Sequence, residues 1–179
     1  MAPEAAARAA DVFVSVGANI EPERHIPAAL DLLREAVPIT AISTFYVTAP
    51  IGAPEQADYL NGVVAVECTA APRAFKFETL RAIEAALGRV RTADRFAART
   101  IDLDIALFGD TVLREPDLEI PDPDLRSRPF LVAAILELAP VYRLPDSGAP
   151  LAALLHDADR ACLAHGLEHG RVHDGHPAR

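Results

Sequence analysis

The chain has a single lysine among its 179 residues, two cysteines, and no apolar run that approaches membrane-spanning length. Each scarcity excludes something. Cys68 and Cys162 match no metal-ligand spacing, and Cys68 falls within a strand-like run. They therefore read as reduced thiols in a reducing cytosol, not as a disulfide framework. Without an apolar stretch of about 20 residues there is no candidate membrane span. Met1–Ala10 is alanine-rich but too short and interrupted to be a secretory segment. A net charge of −9 disfavours general nucleic-acid binding, because phosphate backbones are repelled by most of such a surface. We expect a cytoplasmic protein, acting as a monomer. The arginine-for-lysine usage, with abundant Ala and Pro, reads as genome composition without structural weight.

With 51% of its residues apolar, the chain is long enough for one domain with a sizeable core. We place that domain at 11–164 and expect 1–10 and 165–179 to be disordered tails. His165, His169, His173 and His176 recur at helical spacing, but Gly166, Gly170, Gly175 and Pro177 among them argue for a frayed end over a metal site.

Two aspartates one residue apart, Asp102 and Asp104, sit inside an otherwise strand-like run. From Ile101 to Phe108 the pattern alternates, with Ile101, Leu103, Ile105 and Leu107 on one face and Asp102, Asp104, Ala106 and Phe108 on the other. The strand rise places the two carboxylates on one face, roughly 6–7 Å apart at the backbone, a spacing suited to divalent cations. Like charges on one strand face are otherwise unfavourable, unless this is an edge strand that uses charge to deter aggregation. The arginines upstream favour the functional reading. Arg81, Arg89, Arg91, Arg95 and Arg99 concentrate positive charge in an acidic chain, and Gly88 ends the helical pattern before them. Arginine forks grip phosphate oxygens, and hard cations bridge phosphate to carboxylate, so the pair and the cluster together suggest a polyphosphate site.

The remaining elements follow from periodicity and punctuation. We expect a strand at Val12–Val16 and a helix from His25 to Ala36 with Ile26, Ala29, Leu30 and Leu33 on its buried stripe. Strands follow at Ile39–Val47 and Tyr59–Glu67, then a helix from Arg73 to Leu87 packed through Leu80, Ile83 and Leu87. After the arginine segment and the Asp-Asp strand we expect a short hairpin near Gly109-Asp110, a helix at Pro129–Ala139, and a weaker one at Leu151–Ala164. The order βαββαβ implies an α+β, ferredoxin-like core, an antiparallel sheet with helices packed on one face.

Several motifs together resemble the 6-hydroxymethyl-7,8-dihydropterin pyrophosphokinase family of the folate pathway. They are Phe45-Tyr-Val-Thr-Ala-Pro-Ile-Gly52, Asp58-Tyr-Leu-Asn61, Gly88-Arg-Val-Arg91, Arg99-Thr-Ile-Asp-Leu-Asp-Ile-Ala-Leu-Phe-Gly-Asp110 and Arg128-Pro-Phe130. The resemblance spans nearly all of Val12 to Leu151. It implies the same fold and a transferase that moves diphosphate from ATP to a pterin hydroxymethyl oxygen, releasing AMP. Alternatives are a paralogue that acts on another reduced pterin, and a non-catalytic pterin-binding protein.

By this resemblance Asp102 and Asp104 hold two magnesium ions, and Arg89 and Arg99 are the catalytic arginines. Arg91, Arg128, Glu84 and Phe96 fall on the ATP side. The pterin is expected between Tyr59 and Phe130, with Asn61, Thr48 and backbone near Ala49 and Ile51 meeting its polar edge. No general base is implied, and no histidine lies between His25 and His156. Taken singly, Tyr59 and Phe130 would be ordinary aromatics and Glu84 a helical partner of Arg81; the assignment rests on their joint occurrence. The departures gather on the ATP side. Asp122 stands where the family usually has a nucleotide-contacting histidine, so its ATP role is doubtful and its charge is expected to repel phosphate. Phe96 replaces a common tryptophan, Arg81 and Thr92 replace residues often seen as Gln and Lys, and Ala18 replaces a common Ser. Arg81 is a candidate to compensate for Asp122 from the helix side.

Overall fold

The structure, a computed structural model, describes residues 9–91 and 96–156. Expectations for Thr92, Arg95, Cys162, the four C-terminal histidines and nearly all of both tails lie outside the described residues.

The central sheet has strands β1 (Ala10–Ala18), β2 (Ile39–Ile42), β3 (Tyr46–Thr48), β4 (Tyr59–Cys68) and β5 (Asp102–Phe108), in the order β2-β4-β1-β5 with β3 also paired to β4. Every pairing is antiparallel. With helix α1 (Pro22–Ala36) after β1 and a helical run before β5, this is the ferredoxin-like arrangement. β1 takes in Ala10, a residue expected in the tail.

The core lies on both faces of the sheet. Val12, Val14 and Val16 pack with Ile26 and Leu33 of α1 and with Phe75, Leu80 and Ile83 of the helical run. On the opposite face Phe13, Val63 and Leu107 pack against Leu131, Val132 and Ile135 of helix α4 (Pro129–Leu138). The two helices of the βαββαβ core thus share one face, as expected, and α4 covers the other. Burial on both sides is why β1 reads as a nearly continuous apolar run rather than an alternating one.

The structure departs from the sequence expectation at four places. The predicted Ile39–Val47 strand is interrupted: the Ser43 hydroxyl accepts the Val63 N–H at 2.9 Å, a bond the β-ladder would otherwise claim. The predicted helix from Arg73 is three pieces in line, α2 (Pro72–Ala74), a π-helical stretch (Phe75–Leu80) and α3 (Arg81–Ala86). The alternation along β5 fails after Ile105, because Val14 pairs with Ile105 but Phe13 with Leu107. Ala106 is the extra residue of a bulge, so Leu107 joins the α4 side and Phe108 the other. The Ala106 carbonyl, released from the ladder, accepts the Asp122 N–H at 3.0 Å. Finally, Gly109-Asp110 is a turn, and the hairpin lies further on, as β6 (Leu113–Glu115) with β7 (Leu118–Ile120).

Leu151–Leu154 is a short 3-10 turn, not the start of a regular helix. Cys68 is a buried free thiol, as expected.

Candidate active site

Antiparallel pairing brings distant motifs to one end of the sheet, on its α4 face. Gly17 of β1 lies opposite Asn61 of β4 and Asp102 of β5; Ser15 lies opposite Asp104. Thr48 of β3 lies opposite Tyr59. These residues open into one cavity of about 350 Å³, which also draws on the 48–59 loop, Arg99, the Asp122 segment and the first turn of α4.

At one end the cavity wall is neutral. Thr48, Ala49, Ile51, Tyr59, Asn61 and Phe130 all line it. The Asn61 amide donates to the Thr48 hydroxyl at 2.7 Å, which fixes which way the amide points. Gly17 is what permits that pose: a Cβ there would lie 2.3 Å from Asn61 Oδ1. Phe96 also stands here, its ring packed over Gly52 of the 48–59 loop, where φ of +78° itself favours glycine. Phe96, expected among the ATP-side residues, thus lines the same cavity as the pterin-side ones.

At the other end the wall is charged. Asp102 pairs with Arg99 through Nη1 and with Arg89 at 3.6 Å. The Arg89 side chain is buried, and its Nε and Nη1 have no hydrogen-bond partner among the described residues. Burial lowers the Arg89 pKa from its usual range, Arg99 and Arg91 adding to the effect while Asp102 opposes it. Buried donors left over in this way are the kind of group an anionic ligand satisfies. Arg128 lines the cavity and pairs through Nε with Asp124 at 2.6 Å.

Arg89, Glu84 and Arg91 are not among the cavity residues; Arg89 meets the charged wall through its pairing with Asp102. Glu84 is 1% exposed; one of its oxygens accepts the Leu103 N–H at 2.9 Å and the other pairs with Arg91. Its carboxylate ties α3 to β5. Arg81 does not pair with Glu84 and does not reach Asp122's cavity. Its guanidinium lies 4.2 Å from the Phe77 ring centroid on an exposed face.

Asp122 does line the cavity. Its carboxylate accepts the Asp124 N–H at 2.8 Å and caps the 3-10 turn Pro123–Arg126. Burial pushes its pKa up to about 7; the Asp104 and Asp124 carboxylates add to the rise, and the Asp124 N–H and Arg128 oppose it.

Whether a cation suits Asp102 and Asp104 is answered by their surroundings. Both carboxylates line the cavity. Among the described residues no group of three or more His, Cys, Asp or Glu side chains is arranged to hold a metal. The donors on offer are two carboxylates, hard oxygen ligands at the cavity wall. That fits magnesium, which keeps waters and binds through one or two carboxylates plus substrate phosphates.

The profile of the 7,8-dihydro-6-hydroxymethylpterin-pyrophosphokinase family matches residues 13–140. The chain belongs to this family. Relatives named 2-amino-4-hydroxy-6-hydroxymethyldihydropteridine pyrophosphokinase include one from Pseudomonas aeruginosa, 40% identical over 88% of this chain and 94% of its own length. Another, from Synechocystis, is 34% identical over 88% of this chain and 82% of its own. The fold is also that of the Plasmodium falciparum HPPK-DHPS crystal structure with pteroate, at a TM-score of 0.61 and 12% identity. That match covers 90% of this chain but only 44% of the longer Plasmodium one.

Sequence reasoning passed over three features of this pyrophosphokinase-family site. Gln56 lines the cavity and bridges segments, donating to the Phe96 carbonyl at 2.8 Å and accepting from Asn19 Nδ2 at 3.0 Å. Asn19 in turn accepts the Arg99 N–H at 2.7 Å, so the 48–59 loop and the arginine segment share one network. Gly17 carried no signal beyond ending a strand. Lys76 did carry one: it is the only lysine in the chain, and its side chain is buried against Asp104.

Proposed function

We propose that this protein transfers diphosphate from ATP to the hydroxymethyl oxygen of 6-hydroxymethyl-7,8-dihydropterin, releasing AMP, in folate biosynthesis. The observation that carries the reading is the single cavity with a neutral, aromatic-bearing end and a charged end rich in arginine and aspartate. A flat heterocycle with amide and amino edges suits the first, and a triphosphate suits the second.

In this reading the pterin ring lies between Tyr59 and Phe130, and the oriented Asn61–Thr48 pair meets its polar edge. The hydroxymethyl oxygen attacks the β-phosphorus and gives up its proton to solvent, the bond from that phosphorus to the α-phosphate oxygen breaks, and AMP leaves with that oxygen. Arg89 and Arg99 offset charge that grows on the phosphoryl oxygens, and Arg128 holds the nucleotide. Catalysis is then mostly positioning and preorganised charge. Asp102 and Asp104 are the residues that would hold magnesium, two ions in this proposal; when bound, it would supply positive charge to offset that of the phosphates. A cytoplasmic location and monomeric action belong to the same proposal and rest on composition alone.

The test is product analysis. Protein, Mg-ATP and hydroxymethyl-dihydropterin should yield AMP and a pterin diphosphate in equal amounts. Formation of ADP, or binding of pterin with no turnover, would overturn the reading. A panel of reduced pterins identifies the preferred acceptor.

A further inference from the structure

β5 is the last strand on its side of the sheet, so the backbone groups on its outer side need partners from elsewhere. At Leu103, between the two aspartates, the helical run supplies both. Glu84 accepts the Leu103 N–H at 2.9 Å, and Lys76 Nζ donates to the Leu103 carbonyl at 2.7 Å. Lys76 then extends to Asp104 Oδ1, with its own side chain 6% exposed. Lys76 sits in the π-helical stretch Phe75–Leu80, whose other buried residues, Phe75 and Leu80, pack on the face of the sheet opposite the cavity. It thus reaches Asp104 from behind the edge strand.

We propose that Lys76 is a positioning residue of the cation site, holding Asp104 by one oxygen and keeping the aspartate pair from taking up a divalent cation before the nucleotide arrives. The inference rests on the reading of Asp102 and Asp104 as cation ligands. Its logic is charge balance. Asp102 already faces Arg89 and Arg99, and Asp104 faces Lys76. A pair so compensated offers little net attraction to a hydrated cation, which dehydrates reluctantly. The triphosphate brings the missing negative charge, so metal and nucleotide enter together. A nearly buried ammonium with a second bond to a backbone carbonyl is a fixed charge, unlike a mobile surface lysine. The free Asp104 oxygen is left as a single, oriented ligand.

The experiment is Mn²⁺ binding to the full chain, followed by electron paramagnetic resonance without nucleotide and then with a non-hydrolysable ATP analogue. Lys76→Met removes charge and donor at similar length; Lys76→Gln removes the charge but keeps a donor for the Leu103 carbonyl. Both should bind Mn²⁺ alone at least about tenfold more tightly than the parent, because one nearby positive charge is gone. Asp104→Asn in the Lys76→Gln background should abolish the gain. A folded Lys76→Gln protein with unchanged or weaker nucleotide-free Mn²⁺ affinity would overturn the proposal and leave Lys76 as an edge-strand fastener. If the ternary complex with the analogue forms equally well in Asp102→Asn and Asp104→Asn, the cation reading itself fails, and the proposal falls with it.

Discussion

The two ends of the cavity are built by opposite means. The neutral end is held by strand pairing, a glycine that makes room, and one amide–hydroxyl bond between Asn61 and Thr48. The charged end is held by ion pairs: Asp102 with Arg89 and Arg99, Asp104 with Lys76, Arg128 with Asp124. Neutral contacts can be satisfied once and left in place while a ring slides between two aromatic faces. Ion pairs in a partly buried site are different, since they offset each other's desolvation and are exchanged when a more highly charged ligand arrives. The first end is therefore preformed, and the second is self-neutralised.

Removing a carboxylate should break the charged end most severely. Asp102→Ala and Asp104→Ala should each lower turnover by a factor on the order of 10³ or more, as loss of a charge-stabilising group does. Mere relief of like-charge repulsion would leave stability unchanged or raise it. The pairings in the structure predict the reverse. Asp102→Ala strands the buried Arg89, and Asp104→Ala strands Lys76. Each should cost about 1–3 kcal/mol of stability, below the range for one side of a fully buried pair because both carboxylates keep solvent access. Denaturant unfolding measures this; an increase in stability for either variant would mean the pairs are not formed in solution.

At the neutral end the effect should fall on the pterin alone. Gly17→Ala puts a methyl group where Asn61 Oδ1 now lies and must turn the amide away from Thr48. Pterin affinity should drop by about 1–3 kcal/mol, the cost of misplacing an oriented polar partner, with nucleotide affinity unmoved. Tyr59→Ala and Phe130→Ala should each cost a similar or smaller amount, about 1–2 kcal/mol, if aromatic stacking on bases is a guide. Calorimetric titration with the pterin, and separately with an ATP analogue, tells the two ends apart. Equal losses for both ligands would erase the distinction between them.

The neutral end and the aspartate pair were legible in the sequence because they rest on local pattern: alternation, turn residues and motifs whose order matched a family. Thr48, Ala49, Ile51, Tyr59, Asn61 and Phe130 all line the cavity, as do Arg99, Asp102 and Asp104. What escaped depended on long-range geometry. Glu84 reads as a helical partner of Arg81 from spacing alone, yet it is buried against an edge strand's backbone. The Ala106 bulge cannot be seen in a run that alternates as far as Phe108, because an extra residue shows only against its partner strand. Lys76 was visible only as an exception to a bias that itself seemed to carry no structural meaning.

The smallest effect should come from Asp122, which borders the charged end without an ion-pair partner of its own among the described residues. Read as a fixed anion it should repel the nucleotide at any neutral pH. Its burial changes that, because a carboxyl pushed up to about 7 is half-protonated near neutrality. The repulsion should be weak at pH 6 and full at pH 8.5. Asp122→Asn keeps an oxygen to accept the Asp124 N–H and removes the titration, so it isolates the charge. Affinity for an ATP analogue should match the parent at pH 6 and exceed it by about 1 kcal/mol at pH 8.5, a difference that shrinks with salt. Stability should follow the same proton. The unfolded carboxyl ionises near 4, whereas the folded one keeps its proton until about 7. The folded state therefore binds more protons between those values, and the parent loses stability relative to Asp122→Asn as pH rises through that window. Above it the gap should level off, on the order of 2 kcal/mol once the partial solvent access of the site is allowed for. A gap that stays flat from pH 4 to pH 8.5 would show that Asp122 is ionised throughout, and would restore it as a permanent negative charge facing the phosphates.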